Sequence, residues 1–199
     1  MKRKMTMLTL TLGLAGIALT QAPSTPVKKV SASTNGPTLN LFSKTYTLGS
    51  YNQKYHPTWE FVANEDINSW TTLVTLMERT DAKTVADMDK LSEGVMSTYK
   101  NAGGRVLTAK TLKNQAGAPF NYMLVAFEEP AKQRFELNFV KIMMGAKNAQ
   151  LMIIGVRVTD PKDYRAKAKE FLDKRSGEVG MALGEFVMPD LSTFPRRVF

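Results

Sequence analysis

The chain has 199 residues, no cysteine and one histidine, and its 27 Lys and Arg against 18 Asp and Glu give a formal charge of +9. The missing thiols exclude cysteine nucleophiles, thiolate metal sites, disulfides and a lipidated cysteine anchor, and a lone histidine excludes multi-histidine zinc. No basic stripe interleaved with aromatics is present, so nucleic acid is not an expected partner.

Residues 1–22 read as a secretory signal peptide. Lys2, Arg3 and Lys4 form a basic start, residues 5–20 carry no charge, and Ala22 is a small residue at the cleavage position. The apolar run is shorter than the about 20 residues that span a bilayer, so no stable membrane anchor is expected. Pro23 disfavours a cut directly after Ala22; cleavage after Ser24, with Thr25 first in the mature chain, is the second option. The expected location is the periplasm or the cell exterior. Loss of Lys2, Arg3 and Lys4 lowers the formal charge to +6. That excess reads as lysines that keep the surface soluble rather than as a docking field, because like charges never run beyond two or three residues.

Residues 23–40, rich in Ser, Thr, Pro, Asn and Gly, offer almost nothing to bury and read as a disordered tail. Residues 41–199 then form a single domain, large enough to fold around a core without staples. Its first strand is expected over 41–48, followed by a turn at 49–53, a strand over 58–63 and a strand of mainly Thr, Leu and Val over 70–77. A helix follows. Thr84 is its N-cap with Asp87 three residues on, Val85, Met88, Leu91, Val95, Tyr99 and Ala102 make its apolar stripe, and Gly103-Gly104 ends it.

Four strands come next, over 105–112, 120–128, 134–144 and 150–159. Their links are too short for parallel crossovers, which predicts an antiparallel meander. Met123, Val125 and Phe127 alternate with Tyr122, Leu124 and Ala126, so both sheet faces are expected to be buried at least in part. A last helix is expected to start with Asp160 as N-cap and Pro161 at its first position, and to bend or end near Arg175, Ser176 and Gly177. The order β-β-β-α-β-β-β-β-α predicts an α+β fold with an antiparallel sheet of six or seven strands and helices covering its faces.

That order, over about Leu41 to Val187, resembles the PsbP-like sandwich. The segment Trp59-Glu60-Phe61-Val62 followed by residues 68–76 looks like one seen in small exported bacterial proteins of unassigned function. The resemblance implies a binding or assembly module, and it transfers no catalytic or ligand residue to a numbered position.

His56, just before Pro57 in an expected loop, would have to be the base of any Ser-His-Asp triad, and no nucleophile elbow accompanies it. Tyr51, Tyr55, His56, Trp59 and Trp70 are the candidate binding residues, since exposed aromatics suit a protein partner or a sugar ring. For Trp59 and Trp70 a place in the core is the preferred reading, while Tyr51 and Tyr55 stay open between core and surface. The expected function is an exported, non-enzymatic binding or assembly protein acting on a protein or cell-envelope component, with no cofactor and no metal. The alternative is a cell-envelope hydrolase using two carboxylates drawn from Glu60, Glu65, Asp66, Glu78 or Glu128.

Overall fold

A computed structural model describes residues 36–196; the expected signal peptide and residues 23–35 of the expected tail lie outside the described residues. The described chain folds as one open antiparallel sheet of eight strands with two long helices. The strands are β1 (Thr38–Leu41), β2 (Lys44–Asn52), β3 (Thr58–Val62), β4 (Thr72–Arg79), β5 (Arg105–Lys113), β6 (Pro119–Glu129), β7 (Arg134–Met144) and β8 (Ala149–Thr159). The helices are α1 (Val85–Asn101), between β4 and β5, and α2 (Tyr164–Glu185), after β8.

Across the sheet the order is β1-β2-β3-β4-β8-β7-β6-β5. Two meanders therefore meet where β4 pairs with β8, and α1 carries the chain from the middle of the sheet to its far edge. No described helix is long and apolar enough to cross a membrane.

The alternation of side chains decides what each face buries. On one face Met77, Met123, Val125, Val140, Ile142, Leu151 and Ile153 meet the α1 stripe of Met88, Leu91, Val95 and Tyr99. Burying each large side chain of that stripe is worth roughly 1.5–3 kcal/mol. On the opposite face Trp59, Phe61, Val74, Leu76, Leu137, Phe139, Met152 and Ile154 pack with Val179 and Leu183 of α2 and with Leu191. The end of the described chain completes this cover: Phe194 stands edge-on to Trp59, with ring centroids 5.8 Å apart, and also meets Phe61.

The capping box predicted for α1 is formed, with Thr84 accepting from the Asp87 backbone and the Asp87 carboxylate accepting from the Thr84 backbone. Two expectations need correction. The sheet has eight strands rather than six or seven, because pairing already begins at Thr38 and the expected first strand is split by a tight turn. Phe42 and Ser43 both take positive φ, 50° and 55°, as a two-residue hairpin turn requires, yet neither is the Gly or Asn that signals one. The last helix also starts later and runs on unbroken. Asp163 is its N-cap, while Asp160 caps the preceding turn through the Lys162 and Asp163 backbone. Ser176 turns its hydroxyl back onto the Leu172 carbonyl and Arg175 lies over the Phe171 ring, so both are absorbed within the helix.

Candidate functional site

The five aromatic and histidine candidates do not converge: Tyr51 and Trp59 share one face of the sheet, Trp70 lies on the other, and Tyr55 and His56 stand in the loop between β2 and β3. Trp59 is fully buried; its indole N–H donates to the Pro195 carbonyl at 2.7 Å, and Tyr51 lies 5.5 Å from its ring. Tyr51 is half-buried and its hydroxyl donates to Gln53. Tyr55 is half-exposed, with the Lys54 ammonium over its ring. His56 sits 4.0 Å from Asp81, which Arg79 holds at 2.6 Å; burial and then Arg79 push its pKa down, and Asp81 opposes them. Trp70 belongs to the other face. It is buried beside Val62 and Leu73, with Arg157 stacked on its ring at 3.6 Å. Tyr51 and Trp59 are thus brought together, and Trp70 is not brought to them.

The acids proposed for a hydrolase are engaged separately. Glu65 accepts from the Thr71 backbone and hydroxyl and from the Thr72 backbone, and these bonds hold its pKa down against burial. Asp66 caps the turn at Asn68. Glu78 accepts from Asn148 near one end of β4, and Glu128 accepts from Tyr164 and Arg165 near the end of β6. Glu60 stands alone in character. Burial among the strands raises its pKa, with a Ser50 hydrogen bond opposing.

A buried polar cluster lies where α1 ends. Arg157 pairs with Glu136 at 3.2 Å, Asn138 donates to the same carboxylate, and the fully buried Tyr99 hydroxyl has no hydrogen-bond partner among the described residues. Burial, with Glu136 nearby, lifts the Tyr99 pKa well above the usual tyrosine value.

A concavity lies elsewhere, between α2 and the β5–β6 side of the sheet. It has a volume of about 500 Å³, a floor of Leu112, Phe120, Tyr122 and Leu124, and a wall of Gly177, Gly180 and Gly184. It shares Asn114, Gln115, Gly184 and Glu185 with a second hollow of about 530 Å³ that continues past Met143 and Met144 to Val187 and Met188. The glycines shape this groove. A Cβ on Gly177 would meet nothing within 4 Å, and one on Gly180 would come no nearer than 3.4 Å to the Tyr122 hydroxyl. Tyr122 is 8% exposed and lines the groove, its hydroxyl has no hydrogen-bond partner among the described residues, and burial raises its pKa. Met181 stands 65% exposed beside the groove, and the Lys110 ammonium lies 6.0 Å from the Tyr122 ring.

None of these groove residues is among the candidates read from the sequence. A signal was present: three glycines at helical spacing on one side of a helix each cost about 1 kcal/mol relative to alanine, which marks a wall kept free of side chains. Comparison with protein-family models and with curated proteins finds no match to this chain.

Proposed function

We propose that the protein is an exported binding or assembly module of the cell envelope, and that the groove between α2 and β5–β6 is its binding site. The observation that carries this reading is the groove itself, which three glycines of α2 leave open over an apolar floor of Leu112, Phe120 and Leu124, with the Tyr122 hydroxyl unpartnered among the described residues on its lining. A hydroxyl that opens onto a groove without a protein partner is free to donate to or accept from a bound one. The PsbP-like resemblance, taken from element order, points the same way. The basic start and uncharged run of residues 1–22 support export.

A photo-crosslinking residue at Met181 in the producing cell tests the proposal, with a second at Tyr55 to probe the aromatic loop. The expected result is a discrete envelope-protein adduct from position 181. An adduct only from position 55 would move the site to the Tyr51–Trp59 region, and no adduct from either would sink the reading.

The rival hydrolase has one observation in its favour, the raised pKa of Glu60, which is what a general acid needs. Loss of an envelope-degrading activity on Glu60→Gln, with stability unchanged, would establish it.

A further inference from the structure

We propose that β5 is a docking edge: an acidic segment of a partner protein adds to it in extended conformation as a ninth strand, with alternate side chains entering the groove beside α2. The inference rests on the binding reading and names the partner's chemistry.

β5 is the outermost strand, nine residues long, and pairs only with β6. Its hydrogen-bonding phase is fixed at the hairpin, where the Asn114 N–H donates to the Ala118 carbonyl at 3.0 Å. Bonded and non-bonded pairs alternate in an antiparallel ladder, so Leu112 and Lys110 face β6 while the backbone groups of Lys113, Thr111 and Ala109 point outward. That row is a template for another strand. The opposite edge, β1, has four residues and offers a much shorter one.

The charges select the partner. Arg105, Lys110 and Lys113 are exposed on β5, which carries no acid. Neither lysine forms an ion pair among the described residues, and the charge of Arg105 acts on Glu128, which Tyr164 and Arg165 already hold. Edge lysines repel indiscriminate pairing, and a second copy of this strand would bring three cations against three cations. An acidic strand turns the same repulsion into attraction, so the cations act as a selectivity filter. Its side chains on the α2 side would lie beside Lys110, Leu112 and Met181, within reach of the unpartnered Tyr122 hydroxyl.

The test is amide hydrogen exchange of the purified protein with a peptide as long as β5 that alternates Glu and Val, and with a Lys–Val counterpart. The Glu peptide is expected to slow exchange at Ala109, Thr111 and Lys113, with an affinity that falls as salt rises. Reversing both lysines (Lys110→Glu with Lys113→Glu) is expected to weaken it by about fivefold or more and to favour the Lys peptide. Ala109→Pro, which removes one outward N–H and no internal bond, is expected to weaken both the Glu peptide and the protection. The proposal is overturned if neither peptide protects these amides, if both protect them equally, or if the protein alone shows the protection together with a dimer in sedimentation. An adduct at position 181 without protection of β5 would overturn strand addition and leave the binding reading standing. Protection by the peptide with no adduct in cells would do the reverse.

Discussion

The Lys141 ammonium, on β7, donates to the Gly184 carbonyl at 2.9 Å and to the Phe186 carbonyl at 3.0 Å. Lys141 is 1% exposed, has the Phe120 ring 4.9 Å away, and meets no carboxylate among the described residues. The last carbonyls of a helix lack partners within it and carry the negative end of its dipole, so a buried cation there fixes the end of α2 onto the sheet. Lys141→Met is expected to destabilise the protein by about 1–3 kcal/mol, because two buried carbonyls lose their donor. Amide exchange at residues 184–188 should accelerate more than elsewhere. Burial lowers the Lys141 pKa below 10.5, so between that lowered value and 10.5 the unfolded chain binds more protons. Stability should therefore rise with pH across that alkaline window, and Lys141→Met should flatten the rise.

Arg157 and Glu136 are nearly enclosed, with side chains 7% and 9% exposed. Arg157→Ala leaves a buried carboxylate without its ion-pair partner and is expected to cost about 3–5 kcal/mol. The pair Arg157→Met with Glu136→Leu should recover most of that loss. Chemical denaturation of the two single variants and the double variant measures the coupling.

His56 is the only imidazole, so its proton resonances titrate without overlap. Its pKa is expected below 6.5, higher in Arg79→Gln and lower in Asp81→Asn. Since folding disfavours the imidazolium, stability should fall as pH drops from 6.5 through the lowered value and level off below it. His56→Gln should remove that part of the slope.

Gly177 and Gly180 are helical positions where a methyl group meets open space or ordinary contact. Gly177→Ala and Gly180→Ala should each raise stability by about 0.5–1 kcal/mol. Gly180→Leu should instead fill the groove and abolish the adduct expected at position 181. Thermal unfolding and crosslinking yield together separate the two effects.

Elements whose signals are local were legible. The α1 stripe and its Thr84–Asp87 box, the β5–β8 meander and the burial of both faces all follow from periodicity and loop length. The β1–β2 hairpin was not, because the Phe42-Ser43 turn takes its conformation from pairing rather than from its residue types. The passage of α2 through Ser176-Gly177 depends on packing against β7 and β8, which outweighs local propensity. The candidate site was less legible still. Trp59 and Trp70 are close in sequence but fall on opposite faces, and the groove joins Tyr122 to Gly180 across 58 residues of chain.

The join between β4 and β8 has a consequence for how the chain reaches its fold. Within each half of the sheet, most neighbouring strands are linked by short turns or loops and can zip as they emerge. The seam pairs Thr72 with Val156 and Arg79 with Ala149, closing a loop of roughly seventy to eighty residues, so its entropy must be met before its contacts form. Until that seam closes, β4 and β8 are two further open edges, and β8, with no acid and one arginine among its eleven residues, is the more adhesive of them.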